Sequence, residues 1–262
     1  MDLIPLLKYA EYLFLSGHRN GHGIHGPFIF NLVSATFQNK IDPLIVSGIE
    51  TVRRKMLNDN RKIKVTDYGA GSRKMKNDFR KISDIARYSA VTPKYGKLLF
   101  NLASAFGKPS IIEFGTSLGI STMYLAISFK GTEVFTMEGC PAISEIAARN
   151  FREAGISNVK LLTGSFDDSF AVLKNQKIRP GLVFIDGDHR REPTLRYFDY
   201  VKSISGNETV VVIDDIYSSA EMAEAWDEIK GSYGVTSTVD IFRMGIVFFR
   251  SGLNPFSYRV WY

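Results

Sequence analysis

From Val91 onward, short apolar runs alternate with longer stretches whose apolar residues recur at helical spacing. That alternation predicts strands joined by helices, and so a mostly parallel sheet with helices on both sides. The runs are Ser110 to Phe114, Thr132 to Glu138, Val159 to Leu162, Leu182 to Ile185 and Thr209 to Ile213. Apart from Thr132 to Glu138, where polar residues interrupt, each is short and nearly continuous in apolar residues, as expected of strands buried on both faces. Helices are predicted from the turn at Thr92 to about Phe106 and over Ala142 to Ala154, the second closed by Gly155. Val235 to Phe242 and Met244 to Phe249 read as two adjacent strands, and Pro255 to Tyr262 is an aromatic tail.

Before Val91 the pattern differs. The first sixty residues read as pieces of helix, Phe28 to Phe37 and Pro43 to Leu57 among them, with Pro43 suited to a first turn. A charged, helix-like stretch from Arg73 to Tyr88 carries Ile82, Ile85 and Ala86 at helical spacing. The expected division is a mainly helical appendage or lid over 1–90, with a short turn or hairpin near 63–72, and an α/β domain over 91–262.

The chemistry is expected at the ends of the strands, because ligands of open α/β sheets bind beyond the carboxyl ends. Ile111 to Ser121 is the turn after the first strand. Glu113 ends the apolar run, Gly115 and Gly119 break it, and the helix that starts near Ser121 offers unpaired N–H groups to a carboxylate or phosphate. The second strand ends in Glu138, roughly twenty residues beyond the first glycine, where a ribose-binding carboxylate belongs. The later strands stop at Gly164-Ser165-Phe166, at Asp186-Gly-Asp-His189 and at Asp214-Asp215. The segment Ile63 to Ser72 imitates the glycine turn with Asp67, Gly69 and Gly71, yet no apolar strand ending in an acid follows it on schedule. It is read as a decoy.

With Glu113-Phe-Gly-Thr-Ser-Leu-Gly-Ile-Ser121, Met137-Glu138, Gly164-Ser165, Phe184-Ile-Asp-Gly-Asp-His189 and Val212-Ile-Asp-Asp215 in place, the chain resembles the class I S-adenosylmethionine (SAM) methyltransferases. Within them it is most similar to the catechol O-methyltransferase-like small-molecule O-methyltransferases and their bacterial relatives with an Asp-Gly-Asp-His motif, over about residues 90 to 250. The resemblance implies a Rossmann-like, seven-stranded, mostly parallel sheet. It implies that Gly115 lies against the methionine part of SAM, that Ser121 holds its carboxylate and that Glu138 takes both ribose hydroxyls. Ser165 and Phe166 would border the adenine, Thr92 would sit above the cofactor, and Glu113, Ser117, Gly119, Gly164 and Asp186 would complete the lining. Asp186, Asp214 and Asp215 match positions that hold a divalent cation in those enzymes, magnesium or else calcium, since hard cations take oxygen ligands. The third of these is asparagine in the catechol enzymes. Asp186 and His189 are then the catalytic candidates, with His189 standing where those enzymes place a lysine base. An imidazole can take a proton from a phenol-like hydroxyl. Acidic strand ends also cap helices, and a histidine there can simply bond the next helix.

Composition narrows the alternatives. At 262 residues with 45% hydrophobic and 23% charged, the chain is far from disordered composition. Its single cysteine, Cys140, allows no intrachain disulfide and fits a reducing, cytoplasmic setting. The apolar start to Leu15 carries Asp2, Pro5, Lys8 and Glu11 and lacks a basic beginning, so it is read as an amphipathic helix, neither signal peptide nor membrane span. The net charge of +6 is concentrated before residue 90, in clusters such as Arg53-Arg54-Lys55, Arg61-Lys62 and Arg73-Lys74. That leaves RNA or protein methylation as an alternative to a small-molecule acceptor, and a non-catalytic SAM-binding protein as another. The fourth strand lacks the Asn/Asp-Pro-Pro-aromatic turn typical of adenine amino-methylation. His18, His22 and His25 gather in a glycine-rich break before Pro27, read as a mobile loop over substrate, with metal ligation the other reading. Leu3 to Leu15 or Pro255 to Tyr262 could cover a second subunit in a homodimer.

Overall fold

A computed structural model describes residues 4–66, 78–253 and 255–262. The chain groups into two compact units, Lys40–Ile178 and Met1–Asn39 with Arg179–Tyr262. The first two helices, α1 (Ile4–Leu15) and α2 (Pro27–Asn31), fall in the discontinuous unit. The helix expected over Phe28 to Phe37 begins at Pro27 and loosens into a π turn over Leu32–Thr36.

In the Lys40–Ile178 unit, α3 (Pro43–Leu57) starts where the sequence says it should. Asp42 Oδ1 accepts the Leu44 N–H at 2.8 Å, an N-cap, and Pro43 fills the first turn, where no donor is missed. Helix α3 buries Ile49, Val52 and Met56 at helical spacing, and Arg53 with them. A buried guanidinium is tolerated only with partners. Arg53 donates from Nε to Glu50 Oε2 at 2.8 Å and from Nη2 to the Val91 carbonyl at 2.6 Å, while Glu50 Oε1 accepts the Tyr124 hydroxyl at 3.0 Å. Next come β1 (Lys62–Lys64) and β2 (Phe79–Lys81), an antiparallel pair, and α4 (Ile82–Tyr88). The decoy's Asp67 and both its glycines lie outside the described residues. Val65, Ile82 and Ile85 share one apolar cluster with Leu118, Cys140 and Ile143.

Then follow α5 (Pro93–Phe106), β3 (Ser110–Phe114), α6 (Ile120–Ile127), β4 (Glu133–Glu138), α7 (Pro141–Glu153), β5 (Val159–Thr163) and α8 (Phe166–Asn175). The three strands are parallel in the order β5–β4–β3, with Glu113 beside Thr136 and Glu138 beside Thr163. Strand β3 is buried at every position, as its unbroken apolar run requires.

The other unit continues with β6 (Leu182–Ile185), α9 (Arg191–Ile204), β7 (Val210–Asp214), α10 (Ala220–Lys230), β8 (Ser237–Asp240), β9 (Met244–Phe248) and β10 (Phe256–Arg259). Here the order is β6–β7–β9–β8–β10; β9 runs antiparallel to both its neighbours, and β10 lies parallel to β8. The mostly parallel sheet thus has eight strands, where seven were expected. The extra one is the aromatic tail, four residues whose alternation is too short to read as a strand until β8 supplies hydrogen bonds. Helix α1 packs on that tail: Tyr12 donates its hydroxyl to the Val260 carbonyl at 2.5 Å, and Glu11 pairs with Arg259 at 2.9 Å. Among the described residues no helix is long and apolar enough to cross a membrane.

Helices α5 and α6 approach closely through Gly96, where a Cβ atom would come within 2.4 Å of the Tyr124 ring. The ring is fully buried and held by Glu50, so it cannot step aside. Gly96→Ala is expected to lower stability by about 1–3 kcal/mol, the usual cost of overpacking, and thermal or urea unfolding will measure it.

Candidate functional site

The turn between β3 and α6 is built from residues that accept left-handed backbone. Gly115, Ser117 and Gly119 have φ of 95°, 47° and 85°. Gly119 has a second reason to be glycine, since a Cβ atom there would meet the Phe151 ring at 2.5 Å. The N–H groups of Gly115 and Thr116 both donate to the Met137 carbonyl at 3.0 Å, tying the turn to the end of β4. From that end Glu138 reaches back: its Oε2 accepts the Ser117 N–H and its Oε1 the Cys140 N–H, each at 2.9 Å. The Gly164 N–H donates to the Glu138 carbonyl at 3.0 Å, bringing the third strand end alongside. Gly115, Ser117, Gly119, Glu138 and Gly164 are therefore gathered at one edge.

Ser165 caps α8, its Oγ accepting the Asp168 N–H at 3.2 Å and donating to Asp168 Oδ2 at 2.6 Å. The half-buried Phe166 ring stands edge-on to Phe114 with centroids 5.5 Å apart. Thr92 is exposed at the start of α5, where its carbonyl accepts the Gly96 N–H and its side chain makes no capping bond. Its place is set indirectly, through the Arg53 bond to the adjacent Val91 carbonyl.

Glu113 was expected among the cofactor-lining residues, and its carboxylate lies in the interior. It is fully buried, and its Oε2 accepts hydroxyl protons from Thr122 at 2.5 Å and Thr136 at 2.6 Å. Burial raises its pKa to about 7, and the charge of Glu138 pushes the same way, while the Ser121, Thr122 and Thr136 hydroxyls act against both. Glu113 is thus a positioning residue that fastens the first turn of α6 to β3 and β4.

The second cluster lies at the ends of β6 and β7. His189 Nε2 is 3.5 Å from Asp186 Oδ1, both side chains partly exposed. Asp188 is taken by Arg190 in a two-pronged pair at 2.6 and 2.7 Å. Asp214 is completely buried, and Arg243 closes on it with Nε 3.0 Å from Oδ1 and Nη2 2.8 Å from Oδ2. The same guanidinium is 3.7 Å from Asp215. Burial raises the Asp215 pKa, as does the neighbouring Asp214, with His189 and Arg243 acting against them.

The divalent cation expected at Asp186, Asp214 and Asp215 does not suit this arrangement. Such an ion needs carboxylate oxygens turned toward one point, and both oxygens of Asp214 face N–H donors. Among the described residues no group of three or more His, Cys, Asp or Glu is arranged to hold a metal. Arg243 was missed in the sequence. The only signal was its position, a lone cation between two apolar strands at a hairpin tip. Of the basic clusters before residue 90, Arg53 is buried, Lys55 pairs with Glu153 and Arg61 with Asp59, while Arg73 and Lys74 lie outside the described residues. His18 stacks edge-on toward Tyr258 at 5.8 Å and bonds the His22 carbonyl.

A mostly parallel sheet with a left-handed turn after one strand and a carboxylate ending the next is a Rossmann-like arrangement. Residues 112–216 match the methyltransferase domain family, a span that takes in the glycine turn, Glu138 and both acidic strand ends. The chain is 30% identical over 138 residues to a catechol O-methyltransferase of Niastella koreensis, covering 52% of this chain and 62% of that protein. It is 31% identical over 132 residues to the catechol O-methyltransferase of Mycobacterium tuberculosis, with 48% and 57% covered. The chain thus spans less than two thirds of the length of these curated relatives. Among solved structures it superposes on an O-methyltransferase from Bacillus cereus in complex with SAH, with a TM-score of 0.57, 20% identity, and 84% and 97% of the two chains covered. For TomG of Streptomyces achromogenes, in complex with SAM, the TM-score is 0.58 at 19% identity, with 86% and 95% covered. Both likenesses are in fold.

The raised pKa of Glu113 has a definite sign. Its folded value of about 7 lies above the ordinary 4.5, so the folded state favours the protonated acid. The associated stability is complete below the unfolded value and is lost as pH rises through the folded one. Glu113→Gln keeps an acceptor for the threonines and cannot ionise. Its stability relative to the parent should rise by about 3 kcal/mol between about pH 4 and about pH 8, read from denaturant midpoints across that range.

Proposed function

We propose that this chain is a SAM-dependent O-methyltransferase acting on a small-molecule acceptor. The observation that carries the reading is the Glu138 carboxylate, pinned by the Ser117 and Cys140 N–H groups at the end of β4 beside three left-handed turn residues. A carboxylate fixed in this way is preorganised to accept two vicinal hydroxyl protons from a ribose. In this reading Gly115 and Gly119 let the backbone approach the methionine part, Ser121 and the α6 N-terminus take its carboxylate, and Gly164, Ser165 and Phe166 border the adenine. Ser117 shapes the rim, Glu113 holds the turn from behind, and Thr92 stands at the entrance to α5.

SAM, when bound, supplies a methyl group on a sulfonium, open to in-line attack by oxygen. His189 would accept the proton of the acceptor hydroxyl, with Asp186 orienting its ring. Much of the rate would come from holding the acceptor oxygen in line and out of water. No step is assigned to a divalent cation. RNA docking is not favoured, because Arg53, Lys55 and Arg61 are engaged with their own neighbours. A cytoplasmic setting accords with this reading.

Calorimetric titration with SAM, with NAD as the control, is the direct test. Micromolar SAM binding and none of NAD is the expected outcome, and absence of SAM binding would remove the proposal. Glu138→Ala should weaken SAM by about 10- to 100-fold, the value of one or two hydrogen bonds to a charged group.

A further inference from the structure

Arg243 is a cation built into the edge where a metal ion was expected. Its place is fixed from both sides. The preceding residue, Phe242, adopts a left-handed φ of 68° and donates its N–H to Asp240 Oδ1 at 2.8 Å. The Arg243 carbonyl accepts the Ile216 N–H at 3.2 Å, two residues past Asp214. Asp240 is itself buried and held by the Tyr217 hydroxyl at 2.6 Å. The guanidinium therefore reaches Asp214 from an anchored hairpin tip, and its planar fork meets the carboxylate with two bonds.

Two adjacent carboxylates, one of them fully buried, need compensating positive charge. A divalent cation or a guanidinium could supply it, and the presence of one disfavours the other. The guanidinium already shares the Asp214 charge through two hydrogen bonds, and a second positive charge within a few ångströms of it would be repelled. The chemistry they offer also differs. A metal ion is a Lewis acid that acidifies a coordinated hydroxyl and favours acceptors with two adjacent oxygens to chelate. A guanidinium donates hydrogen bonds to a developing oxyanion and leaves the proton to a base.

Resting on the methyltransferase reading above, we propose that Arg243 replaces the divalent cation. Methyl transfer by this chain then needs no metal, and its acceptor is a hydroxyl already of phenol-like acidity, with no vicinal partner required. His189 takes the proton, the oxygen–methyl bond forms as the sulfonium–methyl bond breaks, and the electron pair of that bond leaves on sulfur as the neutral thioether.

The test uses the full chain and manganese(II) as the probe, followed by the loss of its free-ion paramagnetic resonance signal, with SAM affinity measured on the same samples. The parent protein should show no stoichiometric manganese binding below about 1 mM, and Arg243→Met should bind it at least about tenfold more tightly by freeing the carboxylates. Arg243→Gln, which keeps a hydrogen bond to Asp214, is the second variant should the first fail to fold, with the same expectation. Submillimolar one-to-one binding by the parent, abolished in Asp214→Asn, would overturn the proposal, as would a soluble, folded variant that binds no more tightly than the parent. Loss of the methyltransferase reading would show separately, as a failure of the parent to bind SAM.

Discussion

The glycine turn depends on one buried carboxylate. Glu113 lies inside the protein, and the Thr122 and Thr136 hydroxyls converge on one of its oxygens, so that β3, β4 and the first turn of α6 are joined at a single atom. That joint works with the Met137 carbonyl and Glu138, which hold the same turn from the end of β4, to keep three left-handed residues within five positions. The joint leaves the acid easy to protonate, because hydroxyls offset only part of the cost of removing a carboxylate from water.

The other buried carboxylate, Asp214, meets the same problem differently. It is as deeply enclosed as Glu113, but a guanidinium arrives from a hairpin tip to share its charge. One acid is met by neutral donors on one of its oxygens, the other by an ion pair. The difference suits their places: Glu113 has only to hold a turn together, whereas the end of β7 is the edge where the proposed chemistry on an oxygen would need a positive field. Burial works against the charge on Arg243, but the acids around it outweigh that cost and raise its already high pKa, which keeps it charged under any working condition.

What could be read in the sequence was what depends on neighbours along the chain. Strand β3 and strand β6 were legible to the residue because a buried parallel strand is an unbroken apolar run closed by a turn. Helix α3 was legible from Asp42 and Pro43, whose cap and fixed φ act locally. The glycine turn and Glu138 could be paired because their spacing follows from one strand–helix–strand unit. By contrast, α8 and α9, whose polar faces blur their periodicity, went unread, and β10 was invisible until β8 lay beside it. The interior position of Glu113 could not be read either, since whether an acid at a strand end points inward is decided by Thr122 and Thr136 arriving from other elements. Arg243 was hidden for a like reason: it acquires meaning only when β9 pairs antiparallel with β7 and sets Met244 opposite Asp214.

The Arg53 bond to the Val91 carbonyl also bears on how such a protein can be remade. Helix α3 precedes the span shared with the methyltransferase domain family, and by sequence alone it looks like a cassette to be exchanged for a relative's. Yet its guanidinium supplies a hydrogen bond to the residue before Thr92, and its Glu50 steadies the ring against which α5 rests. A graft at the family boundary would carry over every recognisable motif and still leave a carbonyl unanswered at the entrance to α5. Chimeras of this chain should therefore be cut before Asp42, so that the acid, the arginine and the tyrosine travel together.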